Sequence, residues 1–144
     1  MSDPYVQIAF TFLDDPVKHE WQTDGPEVER YWLPAIGPTS IVLMRRICPE
    51  IRQGPFGFYH VPEVEISQAL GLGRRQGKNA PLRRTLERLT NFGFGRIDDT
   101  WLEDYHVLTF QLREYIRPPG KGVQNRYPEF LKPQLMEAIN AAVR

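Results

Sequence analysis

The sequence predicts an α+β fold, mainly helical, and three observations carry that prediction. Two helical segments with apolar faces flank a glycine turn: Ile66, Ala69 and Leu70 precede Gly71-Leu72-Gly73, and Leu82, Leu86 and Leu89 follow Asn79-Ala80-Pro81 at helical spacing. Two strand-like segments come next, Phe94–Ile97 and Tyr105–Leu112, with Asp98-Asp99-Thr100 read as the turn that follows the first. Six cations (Arg74, Arg75, Lys78, Arg83, Arg84, Arg88) crowd the loop and the second helix, with only Glu87 among them. Helix, turn, basic helix and hairpin is the element order of a winged helix-turn-helix, in which the second helix enters a DNA groove.

The remaining elements follow in chain order. Tyr5–Leu13 has apolar residues on both faces of an extended segment and reads as a strand, ended by Asp14-Asp15-Pro16. Residues 17–30 are polar and read as a loop or short helix. Thr39 or Ser40 is placed to cap a helix running through Ile47, with Ile41, Leu43, Met44 and Ile47 inward and Cys48-Pro49 as its exit. Phe56–Val61 reads as a short strand, and Pro62 suits the first turn of the helix that ends at Leu70. Arg117–Gly122 reads as a linker, and Leu131, Leu135, Met136, Ile139 and Val143 mark an amphipathic C-terminal helix. One domain results, with an N-terminal extension (1–30), the winged helix-turn-helix (31–116) and a linker plus helix (117–144).

A chain of 144 residues suffices for one hydrophobic core. The hydrophobic content of 41% and charged content of 25% are those of an ordinary globular protein. The lone Cys48 rules out an internal disulfide and sits in an apolar run, as a buried thiol does. The acidic N-terminus lacks the cationic start of a signal peptide, and no apolar run reaches the roughly 20 residues of a bilayer span. A cytoplasmic protein with no membrane partner is the expectation.

Formal net charge is zero, so the distribution matters more than the sum. Residues 1–29 hold seven acids and one lysine, whereas the cations gather between Arg74 and Arg88 and again at Arg117, Lys121, Arg126 and Lys132. At about 100° per residue, Leu82, Leu86 and Leu89 form the buried stripe of the basic helix over residues 79–92. Arg84 then falls opposite, beside Ala80, Glu87 and Arg88, with Arg83 on one flank. A guanidinium in that position can take O6 and N7 of guanine as a bidentate pair. Asn79 and the helix N-terminus suit a phosphate, as do Arg74, Arg75 and Lys78.

The segments Trp32–Ser40, Ala69–Gly73, Leu82–Leu89 with Phe92-Gly93, and the proline-bearing tail Arg126–Pro133 resemble small winged helix-turn-helix proteins of actinobacteria and their phages. The resemblance runs from about Tyr31 to the C-terminus and implies the fold and binding of double-stranded DNA. One feature departs from a phosphate-touching wing: Asp98, Asp99, Glu103 and Asp104 surround the expected hairpin turn.

Other chemistry is poorly signalled. Gly71, Gly73, Gly77 and Lys78 miss the P-loop spacing, because Leu72 and Asn79 stand where glycine and Ser or Thr are needed. His19, His60 and His106 are scattered, without a second ligand at metal spacing. No catalytic pattern, cofactor or metal site is expected. Two readings of function remain from different classes: a DNA-binding transcriptional regulator of a bacterium or phage, or a winged helix used to bind a protein. The Tyr5–Leu13 strand, if its edge is unpaired, and the C-terminal helix are the two candidate dimer elements. A monomer whose core they cover is the competing expectation.

Overall fold

A computed structural model describes residues 6–14, 21–102 and 105–143 of the chain. Strand β1 (Val6–Phe12) and the short β2 (Trp21–Gln22) precede three helices, α1 (Pro26–Tyr31), α2 (Leu33–Ile36) and the long α3 (Pro38–Gln53). Strand β3 (Phe58–Pro62) leads into α4 (Glu63–Ala69) and α5 (Pro81–Asn91). The hairpin strands β4 (Gly95–Leu102) and β5 (Tyr105–Leu112), short β6 (Tyr115–Ile116), and helices α6 (Lys121–Gln124) and α7 (Leu131–Val143) complete the chain. The architecture is mixed α and β. No helix among the described residues is long and apolar enough to cross a membrane.

Four strands form one sheet in the order β3-β1-β5-β4. Strand β1 lies antiparallel to β3, with Ile8 opposite Val61, and parallel to β5, with Ile8 opposite Leu108 and Phe10 opposite Phe110. This corrects the reading of residues 1–30 as an appended extension. Both edges of β1 carry ladder hydrogen bonds, so it offers no free edge to a second copy. Val6, Ile8 and Phe10 are buried on one face of this strand, with Ile8 and Phe10 in the core shared with the helices, while on the other face Ala9 is buried between the half-buried Gln7 and Thr11. Tyr5 lies outside the described residues.

The core lies between the sheet and the helices. Ile8, Phe10, Leu108, Phe110 and Leu112 from the strands meet Leu43, Met44, Ile47 and Ile51 of α3 and Leu82, Leu86 and Leu89 of α5, all at 1% exposure or less. Each such side chain contributes about 1.5–3 kcal/mol on burial. Trp32 joins the helical layer to the hairpin. Its ring meets Phe94 edge-on at 4.8 Å, and its Nε1 donates to the Arg117 carbonyl at 2.9 Å. Cys48 is buried as expected, and burial, with Asp24 adding to it, pushes its thiol up to about 12.

Several boundaries differ from the sequence reading. Helix α3 continues through Pro49 to Gln53, since one missing N–H is outweighed by burial of Ile47, Cys48 and Ile51 on the same face. Neither Thr39 nor Ser40 caps it: Gly37 holds that position at φ 82°, and the Ser40 hydroxyl donates to the Ile36 carbonyl instead. Pro55–Gly57 is a 3-10 turn rather than the start of β3, and Pro62 is the N-cap of α4 rather than a first-turn residue.

Asp98, Asp99 and Thr100 belong to β4, paired with Thr109, Leu108 and Val107, so they are not the turn. The ladder to β5 overrides the low strand propensity of aspartate. Glu103 and Asp104, His19, and the side chains of His106 and Val143 lie outside the described residues. The expected linker holds the start of α6, and Met136 is 49% exposed rather than part of the buried stripe formed by Leu131 and Leu135.

Candidate nucleic-acid interface

Helix α4 ends in a geometry that requires glycine. The Gly71 N–H donates to the Gln68 carbonyl at 3.0 Å and the Leu72 N–H to the Ser67 carbonyl at 2.9 Å, the paired bonds of a Schellman motif, with Gly71 at φ 74°. Helix α5 ends in the same way: Gly93 at φ 81° donates to Thr90, and Phe94 donates to Leu89 at 2.8 Å. The second motif turns the chain directly from α5 into β4 and buries Phe94 against the core. Between α4 and α5 the loop 70–80 carries Arg74, Arg75, Lys78 and Asn79, all exposed.

The N-cap of α5 is Ala80, with Pro81 at its first position, so Asn79 precedes the helix rather than opening it. Ala80 is 1% exposed and does not share the outer face with Arg84, because at the cap it lies under the chain entering the helix. Leu82, Leu86 and Leu89 are fully buried, so the phase assigned from sequence holds and puts Arg84, Glu87 and Arg88 on the exposed side.

The six cations divide into two groups. Arg74, Arg75, Lys78 and Arg84 have no side-chain partner among the described residues. Arg83 and Arg88 are held by the protein. Arg83 Nε donates to Oε1 of Glu63 at 2.7 Å, and its Nη2 reaches Oε2 at 3.5 Å. The Glu63 side chain is 0% exposed and that of Arg83 is 12% exposed. Both Glu63 oxygens also accept the Gly77 N–H, at 3.3 Å. One carboxylate at the start of α4 therefore binds the loop and α5 together. Arg88 Nη1 reaches the Ile36 carbonyl at 3.5 Å, passing so close to Gly37 that a Cβ there would sit 2.9 Å from it.

Glu63 is the residue that the sequence reading missed, since Glu87 was the one counter-charge expected. Nothing at sequence level marks it, because its partner lies 20 positions away and the pairing depends on the tertiary fold bringing the start of α4 to the first turn of α5. Its buried charge is compensated by three donors, as a carboxylate in an apolar interior must be.

Lys78 also borders a cavity of about 430 Å³ between the loop, α5 and β4, where it shares the wall with Arg83, Glu87 and Asp99. The cavity wall therefore carries both signs, Glu87 and Asp99 beside Lys78 and Arg83, while the exposed Asp98 belongs to the opposite face of β4. No group of three or more His, Cys, Asp or Glu among the described residues could hold a metal ion.

No family model matches the sequence. No curated protein is similar to it in sequence. Among solved structures it is similar to the primosome protein DnaB (residues 1–300) of Geobacillus stearothermophilus, with a TM-score of 0.59 at 12% identity. The match covers 97% of this chain and 52% of that one, so this chain spans about half the length of the structure it resembles. At that identity the likeness concerns the fold alone.

Proposed function

We propose that this chain is a winged helix-turn-helix protein that binds double-stranded DNA, with α4 and α5 as the helix pair, α5 in the major groove and β4–β5 as the wing. The observation that carries the reading is the division of the cations. Arg74, Arg75, Lys78 and Arg84 stay unpaired among the described residues and exposed on the loop and outer face of α5, while Arg83 and Arg88 secure that helix to the body. Unpaired, solvated cations beside a helix of this kind are the groups that displace counterions from phosphates, and an exposed, unpaired guanidinium in the N-terminal half of the helix can read a guanine edge. Asn79 and the three loop cations serve phosphates in this reading, and Arg84 serves the base. A role as a regulator of transcription in a bacterium or phage extends the same reading.

A second reading, a winged helix that binds another protein, draws support from the zero net charge, from exposed Asp98 and Asp99 on the wing strand, and from Phe56, which is 99% exposed. The two readings separate in a salt series with random duplex DNA. DNA binding gives association at low salt that falls steeply and linearly in log–log form. Absence of association at the lowest salt overturns the DNA reading.

A further inference from the structure

A second cavity, of about 400 Å³, opens on the other side of α5, away from the loop cations. Pro34 and Ala35 of α2, Phe92 at the C-cap of α5, and Val123, Arg126 and Tyr127 around α6 line it. Its volume falls in the range of small-molecule sites, roughly 300–1,000 Å³, and its wall is mostly apolar, with few polar groups. Two of those groups lack partners among the described residues. The Arg126 guanidinium is exposed and unpaired, and it is the one charged side chain in the lining. The Tyr127 hydroxyl is buried without a hydrogen bond, in a residue only 5% exposed.

We propose that this cavity is a binding site for a small carboxylic acid with an aromatic or branched apolar body. The apolar body packs between Pro34, Ala35, Phe92 and Val123, and the carboxylate pairs with Arg126. The planar guanidinium matches a carboxylate in a bidentate pair, which a neutral amide cannot reproduce. A cationic ligand is repelled by Arg126, and a hydrocarbon leaves the guanidinium unused. Because Phe92 caps α5 and Pro34 and Ala35 belong to α2, an occupant contacts both sides of the joint that Arg88 bridges.

The test uses the full chain without DNA, so it stands or falls independently of the DNA-binding reading. Phenylacetate and its neutral isostere phenylacetamide are titrated while the methyl signals of Ala35 and Val123 are followed by NMR, with calorimetry for affinity. The expected result is that phenylacetate shifts both methyl signals and binds at least tenfold more tightly than the amide. Arg126→Gln, a surface change that leaves the fold intact, abolishes that preference. The proposal is overturned if neither probe moves the signals at millimolar concentration, if acid and amide bind equally, or if Arg126→Gln keeps the preference. Self-association of the unliganded chain that Ala35→Trp abolishes would identify a second copy as the occupant and overturn it as well.

Discussion

Arg83 and Glu63, twenty positions apart on separate helices, form a buried ion pair at 2.7 Å, and the same carboxylate accepts the N–H of Gly77. This pair joins three pieces of the fold: the start of α4, the loop 70–80 and the first turn of α5. Glu63→Ala leaves the Arg83 charge and the Gly77 donor without their partner at a site where the Arg83 side chain is only 12% exposed. Its expected cost is about 3–5 kcal/mol, read from urea denaturation. The double change Glu63→Met with Arg83→Met is expected to cost less than Glu63→Ala alone, because it leaves no orphaned charge. An exposed, uncoupled pair would instead give a change below about 1 kcal/mol in both cases.

The free and the committed cations predict different phenotypes. Arg84→Ala is expected to weaken binding to a selected DNA site by about 1–3 kcal/mol and to relax preference at one base pair. Arg75→Ala and Lys78→Ala are expected to weaken binding to every sequence and to reduce the salt slope, with unchanged melting temperatures. Arg83→Ala acts through stability, so its melting temperature falls first. Equal, sequence-independent losses from Arg84, Arg75 and Lys78 variants would remove the reading role of Arg84.

The central position of β1 makes the N-terminal segment indispensable to folding. A chain beginning at Glu27 loses the strand that pairs with both β3 and β5, along with Ile8 and Phe10 from the core. It is expected to lose its cooperative thermal transition and near-ultraviolet circular dichroism rather than to persist as a folded monomer. A truncated chain that melts like the intact one would contradict the sheet order.

Phe56 is strained as well as exposed. It adopts φ 57° and ψ 22°, the left-handed region, where a side chain costs roughly 1–2 kcal/mol. At 99% exposure its ring has no packing to lose. Phe56→Gly is therefore expected to raise stability by about 0.5–1 kcal/mol, the larger unfolded-state freedom of glycine offsetting part of the relief. A partner that grips the ring would show the opposite sign in affinity: the glycine variant would melt higher and bind it more weakly. A lower melting temperature would mean that the turn is not strained.

Local patterns in the sequence determined much of this protein. The 3.6-residue spacing of Leu82, Leu86 and Leu89, the alternation of Leu108, Phe110 and Leu112, and the glycines at 71 and 93 are short-range signals, and each specifies an element and the face that it buries. They placed α5, its inner stripe and the exposed arginine at 84. Tertiary structure alone decided the rest. That β1 runs between β3 and β5, that α3 passes through Pro49, and that Asp98 and Asp99 extend a strand all depend on partners distant in sequence, whose burial and hydrogen bonding override local propensity. The fate of the cations belongs to the same class. Arg83 and Arg84 are adjacent and chemically identical, and only the fold, which brings the buried Glu63 carboxylate at the start of α4 against one of them, separates the arginine held inside from the arginine left exposed.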